Sequence, residues 1–417
     1  MKQFLTLLVF LVCFMSQGQE ISEIVIQGNS KTKTDFINKI TSLREGSLLD
    51  SIGMDADISR LKRLPGIAHA YYEVDEKADG SYKVIYGVDE NFTIIPSVNV
   101  YTTNNDEFAV KLGLYEFNGL GRNIVVGGYY QHDIYNSFGL NFRAPYLFSR
   151  NFGLGVNYMN LTTQEPVFLE TGVADYKYNN TAYEVLGLYE INVKNRVEVG
   201  VNYFNETYLY KFGATSTDVP QELTVNKLLY KILYEYNDVD TFYQYISGFK
   251  SVFHFQYVTS TDQVLPDFQL GFNDFIYYLR VGEKGNWASR LRLGVATNND
   301  SPFAPFAVDN NLNIRGVGNT IDRGTAAIVL NTEYRYTLFE KNWFVLQGNA
   351  FVDGGTWRNP GGDFGDFADS QNLRIYPGLG VRFIHKRIFN TVFRIDYGHG
   401  ITEDATRGLV FGIGQYF

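Results

Sequence analysis

Residues 326–355 read AAIVLNTEYRYTLFEKNWFVLQGNAFVDGG. Taken at every second position, the first half splits into two sets. Ala326, Ile328, Leu330, Thr332, Tyr334, Tyr336 and Leu338 fall on one face, and Asn331, Glu333 and Arg335 on the other. After a break at Glu340–Asn342 the pattern resumes, with Phe344, Leu346, Ala350 and Val352 opposing Gln347, Asn349 and Asp353. A period of two is that of a β-strand. An aromatic-rich face backed by a charged one suits a strand with lipid on one side and water on the other. Arg or Lys on the lipid face would cost roughly 2–4 kcal/mol at the midplane, so the charged set points inward.

The same separation continues towards the C-terminus. Leu373, Ile375, Leu379, Val381 and Phe383 oppose Arg374 and Arg382, while Phe393, Ile395 and Tyr397 oppose Arg394 and Asp396. With Arg290 and Arg292 these form an inward set of mixed charge. Upstream, alternating runs of about ten residues extend back to Phe92, a length that spans a bilayer when tilted. Short connections fall near Asn118–Arg122, Pro145–Arg150, Glu190–Val193, Asn237–Thr241, Gly282–Gly285, Glu340–Asn342 and Lys386–Ile388. Longer ones fall at Thr162–Lys177, Lys211–Thr224, Ser260–Phe268, Asn298–Gly324 and Gly355–Gln371. The alternation of short and long predicts an all-β membrane fold, a transmembrane antiparallel β-barrel of about 16 strands over residues 92–417. The sheet must close, because lipid offers unpaired edges no hydrogen-bonding partner.

Composition agrees. The chain of 417 residues carries 33 Phe, 31 Tyr and 40 Gly, too aromatic for an ordinary soluble sandwich. Its mean hydropathy is nonetheless slightly negative. After residue 20 there is no apolar run long enough for a helical span. The net charge of −9 argues against nucleic acid as a partner.

Residues 1–18 have the pattern of a secretory signal. Lys2 is the basic start, Phe4 to Phe14 the apolar core and Ser16-Gln17-Gly18 the cleavage site. The single cysteine, Cys13, falls within it, with Val12 a poor match to a lipoprotein site. Residues 19–91 then have a different rhythm. Ile24 and Ile26 alternate before Gly28-Asn29; Thr34 is placed to cap a helix bearing Phe36, Ile37 and Ile40. A second helix from about Asp55 carries Ile58, Leu61 and Leu64 and stops at Pro65-Gly66. Strands around Tyr71–Asp75 and Tyr82–Val88 complete a small α/β unit of order βααββ.

The Ile-x-Ile-x-Gly-Asn opening at 24–29, Leu-Pro-Gly-Ile at 64–67 and Val-Asp-Glu at 88–90 resemble a POTRA domain. That resemblance implies a periplasmic module contacting unfolded clients or partner proteins through a sheet edge; a rigid spacer is the alternative. In the barrel, Asn313-Ile314-Arg315-Gly316 followed by Asn331-x-Glu333-x-Arg335 and Phe351-x-Asp353-x-Gly355 resembles the BamA/TamA outer-membrane assembly family, the bacterial surface antigen family. Gly378-x-Gly380-x-Arg382, Arg394-x-Asp396-Tyr397-Gly398, Asn118–Arg122 and Arg143–Tyr146 fit the same likeness; Val317 departs from it, where an aromatic is usual. The resemblance implies that Arg315 sits on a loop folded back into the lumen and meets wall carboxylates, Asp353 first and Glu333 second. Arg335 lies beside them, and Gly316 allows the tight turn. Physically, the planar guanidinium can bond a carboxylate bidentately. The loop is then a lock with a part in gating, or simply a plug.

Residues 409–417, LVFGIGQYF, alternate and end in Phe417, which resembles the C-terminal signal of outer-membrane barrels. This strand is expected to pair with the first, near Phe92–Tyr101. Gly412 and Gly414 would weaken that seam or make room in a crowded lumen. His69, His132, His254, His385 and His399 show no metal-ligand spacing, and no catalytic order or nucleotide loop is present. Asp363, Asp366 and Asp369 read as a solvated loop. The chain is thus expected to be no enzyme and to need no cofactor. Expected partners are unfolded outer-membrane clients, periplasmic or outer-membrane assembly partners and the lipid bilayer, in the bacterial outer membrane. The expected function is insertion of β-barrel proteins, or translocation of polypeptide. The alternatives are a two-partner-type secretion pore, a passive channel or an anchor for a periplasmic partner.

Overall fold

In the computed structural model, residues 19–417 are described except 103–107, 170, 262–266, 300–305, 309–312, 318–321, 390 and 404. The expected signal 1–18, with Cys13, lies outside the described residues.

The N-terminal unit runs β1 (Ile21–Gln27), α1 (Thr34–Ile40), α2 (Ser51–Lys62), β2 (Ile67–Glu76) and β3 (Tyr82–Glu90). Its sheet has the order β1-β3-β2, with β1 parallel and β2 antiparallel to β3. Phe36, Ile37 and Ile40 of α1 and Met54 and Leu61 of α2 pack on Ile21, Val84, Tyr86 and Val88. Each such side chain contributes about 1.5–3 kcal/mol on burial. Gly28 ends β1 at φ 83°, where a Cβ would stand 2.1 Å from the Val88 carbonyl oxygen, so the turn demands glycine.

Two details differ from expectation. Helix α2 starts four residues earlier than Asp55, since Asp50 accepts from the Met54 amide and lets Gly53 into the first turn. Thr34 does not cap α1: Lys33 holds the N-cap position, and the Thr34 hydroxyl accepts from Asn29 Nδ2 at 3.0 Å. Glu90 organises the loop before α1 instead, accepting from the amides of Ser30, Lys31 and Thr32 at 2.6–3.0 Å. Burial alone would raise this carboxyl, but the three amides outweigh it and hold it below the usual range.

The barrel follows. Its first half is β4 (Ile94–Thr102), β5 (Phe108–Gly119), β6 (Ile124–His132), β7 (Asn136–Ala144), β8 (Phe152–Leu169), β9 (Gly172–Glu190), β10 (Asn195–Gly213) and β11 (Glu222–Phe242). The second half is β12 (Tyr245–Ser260), β13 (Phe268–Val281), β14 (Gly285–Ala296), then a small hairpin of β15 (Phe306–Val308) and β16 (Asp322–Gly324) inside a loop. It closes with β17 (Ala326–Glu340), β18 (Phe344–Arg358), β19 (Leu373–His385), β20 (Val392–His399) and β21 (Arg407–Ile413). Apart from the small hairpin these make one 16-stranded antiparallel meander, as the alternation predicts. On β17, Asn331, Glu333 and Arg335 are buried inside while Leu330, Tyr336 and Leu338 are exposed outward.

Several expected connections are strand. The pairing of β8 with β9 continues to Leu169↔Gly172, through what reads as a loop at 162–177. Likewise β10 runs to Gly213 and β11 starts at Glu222. The turn expected at 237–241 moves to Tyr243-Gln244, because Asn237–Phe242 pair with Tyr245–Lys250. Tyr243 takes φ 53° there, a tight two-residue hairpin.

At about 3.3 Å per residue the 21 residues of β11 reach roughly twice the hydrocarbon thickness of about 30 Å. The hairpins from β8 to β12 therefore project beyond the membrane at the long-loop end. On β8 the outward face turns polar at Asn160, just past the ring contacts of Phe138, Tyr158 and Tyr183, an aromatic row at the boundary.

The N-terminal unit sits against the short-turn end. Arg60 donates to Glu190 at 2.8 Å and to Asp57 at 3.1 Å, with Tyr146 and Arg196 also on Glu190. Lys39 donates to the Tyr146 carbonyl at 2.7 Å, and Arg63 to that of Asn237.

Candidate functional site

Four adjacent strands supply the wall of the site. The register places Asn331 opposite Asp353, Arg335 opposite Asn349, Gln347 opposite Arg382, and Gly380 opposite Asp396. All the polar members of these pairs point inward, because the alternate positions carry the lipid face. The inward row of β17 to β20 is thus a continuous polar patch.

The loop between β14 and β17, the eleventh and twelfth strands of the barrel, lays residues 313–317 on this patch, all of them buried. Arg315 donates from Nε and Nη2 to the two oxygens of Asp353, at 2.8 and 2.9 Å, and its own amide donates to Asp353 at 2.9 Å. Its Nη1 reaches Glu333 at 2.6 Å, with Asp396 3.7 Å away. Glu333 also accepts from Arg335 at 2.5 Å and from Arg382 at 2.9 Å. Arg315, Arg335, Arg382, Asp353 and Asp396 have no exposed surface, and Glu333 has 1 %. Three guanidiniums therefore face three carboxylates in a buried centre, where an uncompensated charge would be costly. The Phe351 ring lies 3.6 Å from the Arg315 guanidinium, a desolvated cation–π contact.

Glycine lets the loop backbone reach the wall. Gly316 takes φ 94°, and a Cβ on it would stand 2.7 Å from Gly398 of β20; one on Gly398 would stand 2.0 Å from the Arg315 carbonyl oxygen. Ile314 and Val317 fill an apolar layer with Ala327, Trp357 and Tyr376, so valine occupies the position where the resemblance expects an aromatic. Thr406 donates to the Val317 carbonyl at 2.6 Å.

Of the other inward charges, Arg292 is paired with Asp274 at 2.6 Å and touches the loop through Asn313. Arg290 bonds Asn331, and Arg394 bonds Asp396. Arg374 lies apart, beside Trp357 and bonded to the Gln371 and Leu373 carbonyls.

The chain end departs from expectation. Strand β21 stops at Ile413, and among the described residues no ladder joins it to β4. The start of the barrel is fastened elsewhere: Phe92 exchanges backbone hydrogen bonds with Arg387 and Phe389 of the β19–β20 turn. Gly414, at φ 94°, turns the last residues inward. Gln415 accepts from Arg382 at 3.0 Å, and the Tyr416 ring lies 4.4 Å from the Arg315 guanidinium. Phe417 packs on Ile276, Tyr278 and Ala288 instead of ending a strand on the lipid face. Gly412 stays in β21, its bare Cα facing the Arg394 guanidinium. Nothing in the sequence marks Gln415 and Tyr416 as partners of the loop, since a strand pattern assigns them to alternate faces.

The comparisons with known proteins fit this geometry. The model of the POTRA family, surface antigen variable number repeat, matches residues 19–91. No curated protein sequence matches. Among solved structures, BamA from Haemophilus ducreyi lacking POTRA domains 1–3 is similar at 15% identity and TM-score 0.56, over 94% of this chain and 83% of that one. CdiB from Acinetobacter baumannii is similar at 13% and 0.62, over 95% and 73%. CdiB from Escherichia coli is similar at 9% and 0.64, over 95% and 76%. Fold and module together define a POTRA-plus-barrel protein. Within that class the chain shares the fold of the BamA and CdiB structures.

Proposed function

We propose that this chain works in the bacterial outer membrane, its POTRA module in the periplasm, and assists β-barrel proteins to insert or polypeptide to cross. The observation that carries this reading is the seam. Where β4 and β21 meet, the described residues make no ladder hydrogen bonds, so two strand edges remain available to an incoming chain. An unsatisfied backbone group in lipid costs several kcal/mol, which gives an extended client segment a reason to pair there. Arg315, Gly316, Glu333, Arg335 and Asp353 act in this reading as a lock that holds the lumenal loop while the seam works. No covalent chemistry or cofactor enters it.

A two-partner-type secretion pore is the second reading, favoured by the likeness to the CdiB barrels. The lumen speaks against a freely open channel, since the loop and the chain end both occupy it. Depleting the protein is expected to lower the levels of other outer-membrane barrels; unchanged levels of all of them would remove the assembly reading. A disulfide across the first and last strands should abolish activity until reductant is added. Large conductance in reconstituted membranes, indifferent to Arg315→Ala, would favour the pore.

A further inference from the structure

We propose that the cavity between the N-terminal unit and the barrel mouth is a peptide site, taking an apolar residue that carries a backbone N–H and a carboxylate close by. The cavity measures about 300 Å³ and lies between the link from α2 to β2 and the β11–β12 and β19–β20 turns. That is the room of about ten waters in the liquid, enough for one or two extended residues and too little for a folded element. Leu64 and Ile67 line it from the N-terminal unit, and Ile246, Ile384 and Val392 from the barrel. Such a lining favours an apolar side chain over water.

The polar groups select what that side chain belongs to. Gln244 is 3 % exposed; its Nε2 donates to Glu340 at 2.9 Å, while its Oε1 has no hydrogen-bond partner. A buried acceptor left unmade is costly, so the cavity rewards a donor. Arg63 adds the complementary need. Its Nη2 donates to the Asn237 carbonyl, and its buried Nη1 has no partner. The nearby carboxylates are engaged elsewhere, Glu190 with Arg60 and Arg196, and Glu235 with Lys250. Burial first, and Arg196 second, lower the Arg63 guanidinium from its ordinary value. Lys62 and Lys386 also line the cavity, and among the described residues no carboxylate does. The site thus asks for a donor and an anion on an apolar body. A fatty acid lacks the donor, whereas a peptide residue has all of them. The carboxylate comes from a chain end or from an acidic side chain.

This site lies away from the seam and is read by binding to purified protein. Its failure therefore leaves the proposed function standing, and failure of that function leaves the site. The test titrates the full chain in lipid nanodiscs with acetyl-leucyl-leucine carrying a fluorinated leucine, followed by fluorine NMR. The acid should bind about tenfold or more tightly than its C-terminal amide, the worth of a charge-assisted hydrogen bond. Arg63→Gln should erase that preference and leave the affinity for the amide as it was. Gln244→Leu should weaken both peptides alike. Acetyl-leucyl-aspartic acid α-amide separates the two sources. Binding like the acid supports an acidic side chain, and binding like the amide supports a chain end. Equal affinity for acid and amide, octanoate binding as tightly as the acid, or no binding of either peptide would overturn the proposal. Where Arg63→Gln undocks the N-terminal unit, acid, amide and octanoate on the unsubstituted protein decide.

Discussion

Glu333 accepts from three guanidiniums, whereas Asp353 bonds one. Glu333→Gln should therefore cost more stability than Asp353→Asn, because it strips the counter-charge from Arg315, Arg335 and Arg382 together. Breaking one partner of a buried pair typically costs about 3–5 kcal/mol. Urea unfolding midpoints in lipid vesicles check both the size and the order. Arg315→Lys should recover only part of the loss seen in Arg315→Ala, since an ammonium cannot form the two-pronged bond to Asp353. Glu90 gives a prediction in pH. Its folded pKa lies below the unfolded value, so its contribution is complete above the unfolded value and fades as pH falls through the folded one. Protection of the amides of residues 30–32 should drop below about pH 4.5, and Glu90→Gln should remove that dependence.

At the scale of the element, the loop's seat depends on two facing glycines. Gly398→Ala inserts a Cβ 2.0 Å from the Arg315 carbonyl oxygen, on backbone that cannot rotate away. It should lift residues 313–317 off β20 and expose the loop to proteolysis at 298–324 while the barrel remains heat-modifiable on gels. A loop as resistant as that of the unsubstituted protein would show that β20 does not hold it. Strand lengths belong to this scale too. Alternation told strand from non-strand for most of the barrel, but it ran the last strand on to Phe417 where β21 ends at Ile413, and it stopped β8 and β10 early. The outward faces there turn to Asn, Thr and Gln, and polarity alone reads as loop although the backbone stays paired.

For the whole molecule, the docking of the N-terminal unit rests on Arg60, which bridges Asp57 within the unit to Glu190 on the barrel. Arg60→Ala would leave both carboxylates buried without this partner. It should free the unit from the barrel end, read as a broadened distance distribution between spin labels on the two parts. Exchange within β1–β3 should stay unchanged. A distribution as narrow as before would mean that the other contacts, among them those at Lys31, Thr32, Lys33, Lys39 and Arg63, suffice.

The sequence by itself determined that the chain crosses a membrane as strands, where most turns lie and which charges face inward. Each of these follows from a period of two and from the cost of a charge in lipid, both of which are local. It also marked Arg315, Glu333 and Asp353 as members of one site, through resemblance to a family. Only the tertiary structure decided who meets whom: Glu333 shared among three arginines, Gly316 against Gly398, Tyr416 against Arg315. Those contacts join residues far apart in the chain. They are set by register between strands and by a turn at Gly414 whose inward direction no alternation pattern records.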